Sequence, residues 1–245
     1  MKHGFFATIF YIPLYNLLIF LISIVPGHSA AIAAIALTTI IRIILFPLSK
    51  KSIKTQLEMR RIEPEIRKIK EKYSDKQEQA RKTLELYKQH EINPFAGFLL
   101  ILIQLPILIA LFQVFQSGLP VVDATILYNF VHTPESVSMT FFGINLAGRS
   151  FILAVLAVVT QFIQINIALP KTEKKKDGTF QSDLAHSMNM QMRYIFPLIL
   201  FPIAFLSAVV AIYLTTSNIL MILQELFVKR KMEREYTAKI NKISS

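Results

Sequence analysis

Residues 30–48 read AAIAAIALTTIIRIILFPL, from Ala30 to Leu48, and are apolar except at Thr38, Thr39 and Arg42. As a helix rising ~1.5 Å per residue, such a run is ~28 Å long, close to the ~30 Å hydrocarbon core of a bilayer. Pro47 and then Ser49-Lys50-Lys51 close it. The pattern predicts a membrane span, and the rest of the chain is organised around it.

The 245 residues are 53% apolar with a mean hydropathy of +0.47, yet carry a formal net charge of +11. The charges are gathered in blocks between long apolar runs, as in a polytopic membrane protein. There is no cysteine, which excludes a disulfide scaffold, a thiol nucleophile, a cysteine metal site and a cysteine-linked lipid anchor. Neither GxGxxG nor GxxxxGK[ST] occurs, so nucleotide binding has no support. No nucleophile–base or metal-ligating constellation stands out, and neither enzymatic activity, a metal nor another cofactor is expected.

Before the first span, residues 5–25 are apolar but broken by Tyr11, Pro13, Tyr15 and Asn16. They lack the cleavage pattern of a signal peptide. They fit either a span or a helix lying in the interface. After the span, residues 50–91 hold 13 Lys/Arg and 8 Asp/Glu. Ile53, Leu57, Ile62, Ile66, Ile69 and Tyr73 recur at helical spacing, as do Ala80, Leu84 and Tyr87 beyond Ser74-Asp75. Two amphipathic helices joined by a short turn are predicted, with a kink or break at Pro64. Asn93-Pro94 suits the cap and first turn of a second span at 95–116. A third span is read at 150–169. Residues 194–228 are too long for one helix and are read as two, 194–206 and 208–228, meeting near Ser207. Two spans in so few residues imply a locally thinned bilayer, or help from residues 188–193. A basic tail, 229–245, follows.

The basic residues fix the orientation. The hairpin, the 171–183 loop with Arg193, and the tail hold 24 of the 27 Lys and Arg; residues 117–147 hold none. With five spans after residue 29, all three basic segments fall on one side, which the positive-inside rule makes cytoplasmic. The expected class is all-α: a polytopic membrane protein of five spans with a cytoplasmic helical hairpin and a cytoplasmic C-terminus.

Arg42 is eight residues, ~12 Å, before Lys50, well inside the core. A mid-membrane arginine costs at least ~2.5 kcal/mol. It either snorkels toward the cytoplasmic surface or lines a wet cavity that attracts acidic or polar groups. Gln104, Gln113, Gln116, Gln161, Gln164, Asn166, Thr215, Thr216, Ser217, Asn218 and Gln224 supply the other polar side chains of the spans. Any one of them is accountable as interhelical glue worth about 0.6 kcal/mol. Together with Arg42 they suggest a hydrophilic groove. The histidines lie outside the spans, and Glu225, near the last span's cytoplasmic end, is the nearest carboxylate. Proton and ion paths ordinarily need such groups in the membrane, so a small transporter or channel is the second reading. The tail could touch ribosomal RNA through phosphates or bind anionic lipid.

The run Thr38-Thr39-Ile40-Ile41-Arg42-Ile43-Ile44-Leu45-Phe46-Pro47-Leu48 resembles the first conserved span of the YidC-type membrane protein insertases of the Oxa/Alb superfamily. Met59 to Tyr73 resembles that family's cytoplasmic hairpin. Asn93-Pro94-Phe95-Ala96-Gly97 with Gln104-Leu105-Pro106-Ile107 resembles its second span, and Tyr213 to Gln224 its last. The order and topology also match. Two departures stand out: Leu206-Ser207-Ala208-Val209 replaces a Pro-Ala-Gly-like turn, and Leu214 a common tryptophan. The large periplasmic domain of some members and the lipidated cysteine of others are missing from this sequence.

The resemblance implies an insertase that moves new membrane proteins from the cytoplasm into the bilayer without consuming nucleotide. It implies an interfacial, amphipathic helix for residues 1–29 and a location in the bacterial plasma membrane. The expected substrate groove is Arg42, Gln104, Gln161, Gln164, Thr215 and Asn218. The expected hairpin contacts are Arg60, Arg61, Pro64 and Tyr73. The expected partners are nascent membrane proteins and the lipid bilayer, with the ribosome (through the tail) and the Sec translocon as further candidates, and no DNA.

Overall fold

The computed structural model describes residues 4–93, 96–117, 119, 121–169, 187 and 190–243. Pro94 and the 171–183 loop lie outside them. The chain is mostly helical and divides into two compact units, one of Met1–Ile44 with Gln104–Ile222 and one of Leu45–Ile103 with Leu223–Ser245.

In the first unit, α1 (Ala7–Ile24) opens with a π-turn and ends at Pro26-Gly27. Its Tyr15, Leu18, Ile19 and Ile22 are fully buried, and it packs along α2 (Ala30–Ile44). The part of α6 (Ala96–Ser117) from Gln104 onward belongs here, with Leu111 and Val114 buried. The helix α7 (Phe151–Ala168) is started by Ser150, whose hydroxyl accepts from the Leu153 N–H at 3.3 Å. It packs along α8 (Gln191–Leu206). Ser207 is extended, φ −147° and ψ 117°, and α9 begins at Ala208.

The expectation of an all-α chain needs a small correction. Residues 117–147 include an antiparallel hairpin, β1 (Thr140–Phe141) with β2 (Ile144–Asn145). Its surroundings tie helix starts together. Ser138 accepts from the Ala30 N–H and donates to His28 O, both at 3.0 Å, and Gly148 O accepts from the Ala208 N–H at 3.1 Å. With Ser150 capping α7, the N-termini of α2, α7 and α9 all meet residues 138–150.

The second unit holds α3 (Phe46–Arg61), α4 (Glu63–Lys72), α5 (Lys76–Gln89) and the end of α9. The first span was expected to run to Leu48. The helix α2 ends at Ile44, and Pro47 falls in the first turn of α3, where its missing N–H costs no helical hydrogen bond. Pro64 likewise takes the second position of α4, so the first hairpin helix is in two pieces. Asp75 caps α5 by accepting from the Gln77 N–H at 3.1 Å. The hairpin core is Ile62, Leu86 and Ile92, packed with Met59, Ile66, Ile69 and Tyr87. The expected stripe through Leu84 is displaced: Leu84 is 56% exposed and Leu86 turns inward. The expected boundary at 228/229 is no break, since α9 runs unbroken from Ala208 to Ile243.

Among the described residues, three helices are long and apolar enough to cross a membrane: α1, α7 and α9. Taking α2 and α3 as one span makes four, and Gln104–Phe115 and α8 are shorter apolar helices.

Candidate polar site among the apolar helices

Arg42 lies two residues before the end of α2 and is 5% exposed. Its Nε donates to the Ser217 hydroxyl at 3.0 Å, and a terminal guanidinium nitrogen donates to the same oxygen. Ser217 also hydrogen-bonds the Tyr213 hydroxyl, which accepts from Gln104 Nε2. Tyr213 and Ser217 are one turn apart on α9, so they share a face. The result is a polar relay, Arg42–Ser217–Tyr213–Gln104, joining α2, α9 and α6. It satisfies a buried cation with hydroxyl and amide dipoles, and a hydroxyl is an acceptor that a carboxylate can outcompete.

One residue further round α9, Asn218 is 3% exposed and donates to Ala157 O at 3.3 Å and the Thr160 hydroxyl at 3.2 Å. On α7, Gln161 donates to Gln164 at 3.3 Å, and both are buried. The buried Thr215 hydroxyl has no hydrogen-bond partner among the described residues. The six groove candidates therefore fall into the Arg42–Gln104 relay, the Asn218 contact with α7, the Gln161–Gln164 pair, and Thr215. Glu225, the carboxylate that the sequence places at the cytoplasmic end of the last span, pairs with Lys229 at 2.8 Å.

At α7's other end, Arg193 donates to Asn166 Oδ1 at 3.0 Å and to Leu169 O at 3.3 Å. Its charge thus sits against the carbonyl end of α7, where a cation is favourable. In the second unit, Arg61 pairs with Glu58 at 2.8 Å, and its guanidinium lies 4.3 Å from the centre of the Tyr236 ring. Tyr73 ends α4, and its carbonyl accepts from Gln79 at 2.6 Å. Arg60 is half-buried beside Arg61. On α5, Lys82 bonds Glu85 at 2.8 Å; this hydrogen bond holds the carboxyl below its ordinary range and raises the ammonium.

The model of the family described as 60Kd inner membrane protein matches residues 20–235 of this chain. The chain belongs to that family. Among curated proteins it is 36% identical over 202 residues to the "Membrane protein insertase YidC" of Fusobacterium nucleatum, covering 82% of this chain and 86% of that protein. It is 34% identical over 214 residues to the protein of the same name from Clostridium tetani, covering 87% of each. Its fold is similar to the solved structure "Active YidC insertase crystal structure with the first transmembrane domain resolved", with a TM-score of 0.56 and 23% identity. That match covers 90% of this chain and 46% of the solved one. Membership of the 60Kd family agrees with a chain of several apolar helices.

Sequence reading missed the roles of four polar side chains of this family member. Thr160 is not among the polar residues the sequence singled out, though its partner Asn218, 58 positions later, is. Arg193 was counted only as loop charge. Tyr15 and Asn16 were read as interruptions, yet Tyr15 Oη accepts from the Asp123 N–H at 2.7 Å. Asn16 donates to Ile126 O at 2.9 Å and accepts from the Tyr128 N–H at 2.6 Å. In each case the signal was a polar residue in an apolar helix, with no way to name its partner.

Proposed function

We propose that the chain is a membrane protein insertase, in which Arg42 is the charged centre of a hydrophilic groove used by a client in transit. The single observation that carries this is the Arg42–Ser217–Tyr213–Gln104 relay between helices that are otherwise apolar. In the resting protein Ser217 holds the guanidinium. A client's acidic or polar end displaces that hydroxyl, because a carboxylate meets the guanidinium with two oxygens and two parallel bonds where Ser217 offers a single neutral oxygen. The client's apolar segment then leaves for lipid. Each central Leu, Ile, Phe or Val gains ~0.3–0.6 kcal/mol there, against ~2.5–3.5 kcal/mol for a charge. An apolar segment of span length therefore outweighs a few polar residues, and no nucleotide is required. Gln161, Gln164, Thr215 and Asn218 extend the polar surface. α8, at 16 residues by its bounds, is ~24 Å long against a ~30 Å core, which favours a thinned bilayer beside it.

The chain crosses the membrane five times with its C-terminus in the cytoplasm, in a bacterial plasma membrane. The basic segments favour this orientation, and so does the gathering of the starts of α2, α7 and α9 at one segment. α1 lies in the interface. Tyr15 and Asn16 are at its midpoint and hold the backbone of residues 123–128. A spanning α1 would draw that irregular backbone to mid-bilayer, which lipid does not tolerate. The hairpin, with Arg60, Arg61, Pro64 and Tyr73, receives the client; the basic end of α9 holds the ribosome close, and the Sec translocon is the neighbouring partner.

The test is photocrosslinking from positions 42, 104, 161 and 218 to a ribosome-stalled membrane-protein nascent chain. Crosslinks from all four that vanish on release of the chain are expected. A folded, membrane-embedded protein that gives none, but passes solute in liposomes, would instead be a channel.

A further inference from the structure

The β1–β2 hairpin presents a side chain that folding alone does not explain. Its loop is Phe142-Gly143, with φ of +47° and +78°. A type I′ hairpin turn demands positive φ at both positions, hence the usual Asn-Gly. Gly143 meets this freely, whereas a bulky residue in this region is strained. No packing offsets the strain, since Phe142 is 92% exposed, with the Phe141 ring edge-on at 4.6 Å between centres. An exposed aromatic held in an unfavourable backbone conformation points to something outside the chain.

The hairpin's position limits what that can be. Its base is fastened to His28, Ala30 and Ala208 through Ser138 and Gly148, and Leu146 beside it is buried. The tip is three residues beyond Met139, so it reaches at most ~10 Å past that base at ~3.3 Å per residue. A headgroup layer is roughly 5–7 Å deep on each face of the bilayer, so the tip stays in or beside it. Residues 136–147 carry no charge, and a partner recognised by charge has nothing to grip. An apolar ring at this depth gains by burying into the boundary between headgroups and acyl chains.

We propose that Phe142 is a membrane-interface anchor, whose ring enters the leaflet on the side where α2, α7 and α9 begin. The proposal takes those helices as spans, as the proposed function does, but is independent of insertion activity. The anchor sets the depth of residues 138–150 and through them of three helix starts. Its grip is apolar and does not depend on lipid charge.

The chain has neither tryptophan nor cysteine, so single reporters are clean. Phe142→Trp in the full chain, reconstituted in phosphatidylcholine vesicles, should emit at shorter wavelength than in water. Phosphatidylcholine brominated near the headgroup end of its acyl chain should quench more than half of that emission; bromines at the chain end should quench less. Replacing half the lipid with phosphatidylglycerol should change nothing. Water-like emission without quenching overturns the proposal, as does protection that appears only at high protein-to-lipid ratio, where a second copy covers the ring. Should the tryptophan variant not fold, Phe142→Cys carrying a nitroxide reads the same depth by its accessibility to oxygen against a water-soluble relaxant. Arg42→Ala should leave these signals unchanged, so the anchor and the insertase reading fail separately.

Discussion

The Arg42 guanidinium donates two hydrogen bonds to the Ser217 hydroxyl, a residue 175 positions later in the chain. One short side chain thereby accepts twice from a cation buried among apolar helices. A neutral hydroxyl is a weaker acceptor than a carboxylate, so the acidic end of a client can take its place. Arg42→Ala should therefore reduce insertion of clients with acidic ends far more than of clients with neutral ends. Arg42→Lys should restore part of the loss, keeping charge without the planar fork. Insertion of both client types into liposomes, at matched protein levels, is the measurement, and equal losses would remove the electrostatic role.

Ser217→Ala acts differently. It strands part of a buried guanidinium, at a cost of about 1–3 kcal/mol in stability. Thermal unfolding in detergent should fall accordingly, while insertion falls less than in Arg42→Ala. A variant as inactive as Arg42→Ala but fully stable would mean that the serine itself meets the client.

Arg193 joins Asn166 and the last carbonyl region of α7 to the start of α8. Arg193→Ala loses two hydrogen bonds made by a charge, each worth roughly 1.5–3 kcal/mol. Faster amide exchange in the last turn of α7, with the α2–α9 relay intact, is the expected outcome, read by hydrogen–deuterium exchange of proteoliposomes.

Asn218 and Thr160 tie α9 to α7. In a double-mutant cycle of Asn218→Ala and Thr160→Val, the coupling in unfolding free energy should be about 0.6 kcal/mol and no more than ~1.7 kcal/mol. A coupling of zero would show that the two helices are held by packing alone.

The Lys82–Glu85 bond makes a pH prediction. Glu85 is held below its ordinary value by the Lys82 hydrogen bond, so its contribution is complete above the unfolded glutamate pKa, about 4.3. It is lost as pH falls through the lowered folded value. Lys82, raised by the same bond, loses its contribution only at strongly alkaline pH. Amide exchange in α5 should be slightly faster in Glu85→Gln than in the unaltered chain at pH 7. The difference should vanish under acid, and it should be small because both groups are solvent-exposed.

Much of this architecture is readable from local signals. Ser150 stands before an apolar run and caps α7; Ser74-Asp75 interrupts a periodic stripe and starts α5; Ser207 sits where an over-long apolar stretch has to bend. Proline was read less well at Pro47, which looked like the end of a span but opens α3, because its missing N–H is harmless only in a first turn. Leu84 and Leu86 differ by two positions, and helical spacing in a short amphipathic segment did not say which one the hairpin core would take. For the site, the polar residue types were visible but their pairing was not. That Arg42 meets Ser217, and Asn218 meets Thr160, depends on how α9 is rotated about its own axis, which no one-dimensional pattern records. The Phe142 turn was hidden for the opposite reason: its sequence offers a phenylalanine where a hairpin signal would offer asparagine.

From Ala208 to Ile243, α9 is one helix of 36 residues, ~54 Å from end to end and far longer than a bilayer core. Tyr213, Ser217 and Asn218 are on its first third and Arg234, Lys239 and Lys242 on its last, with no break in the helix between them. A bilayer core takes up only ~30 Å of that length, so about 24 Å of helix is left over, and its backbone stays hydrogen-bonded within itself wherever along it lipid gives way to water.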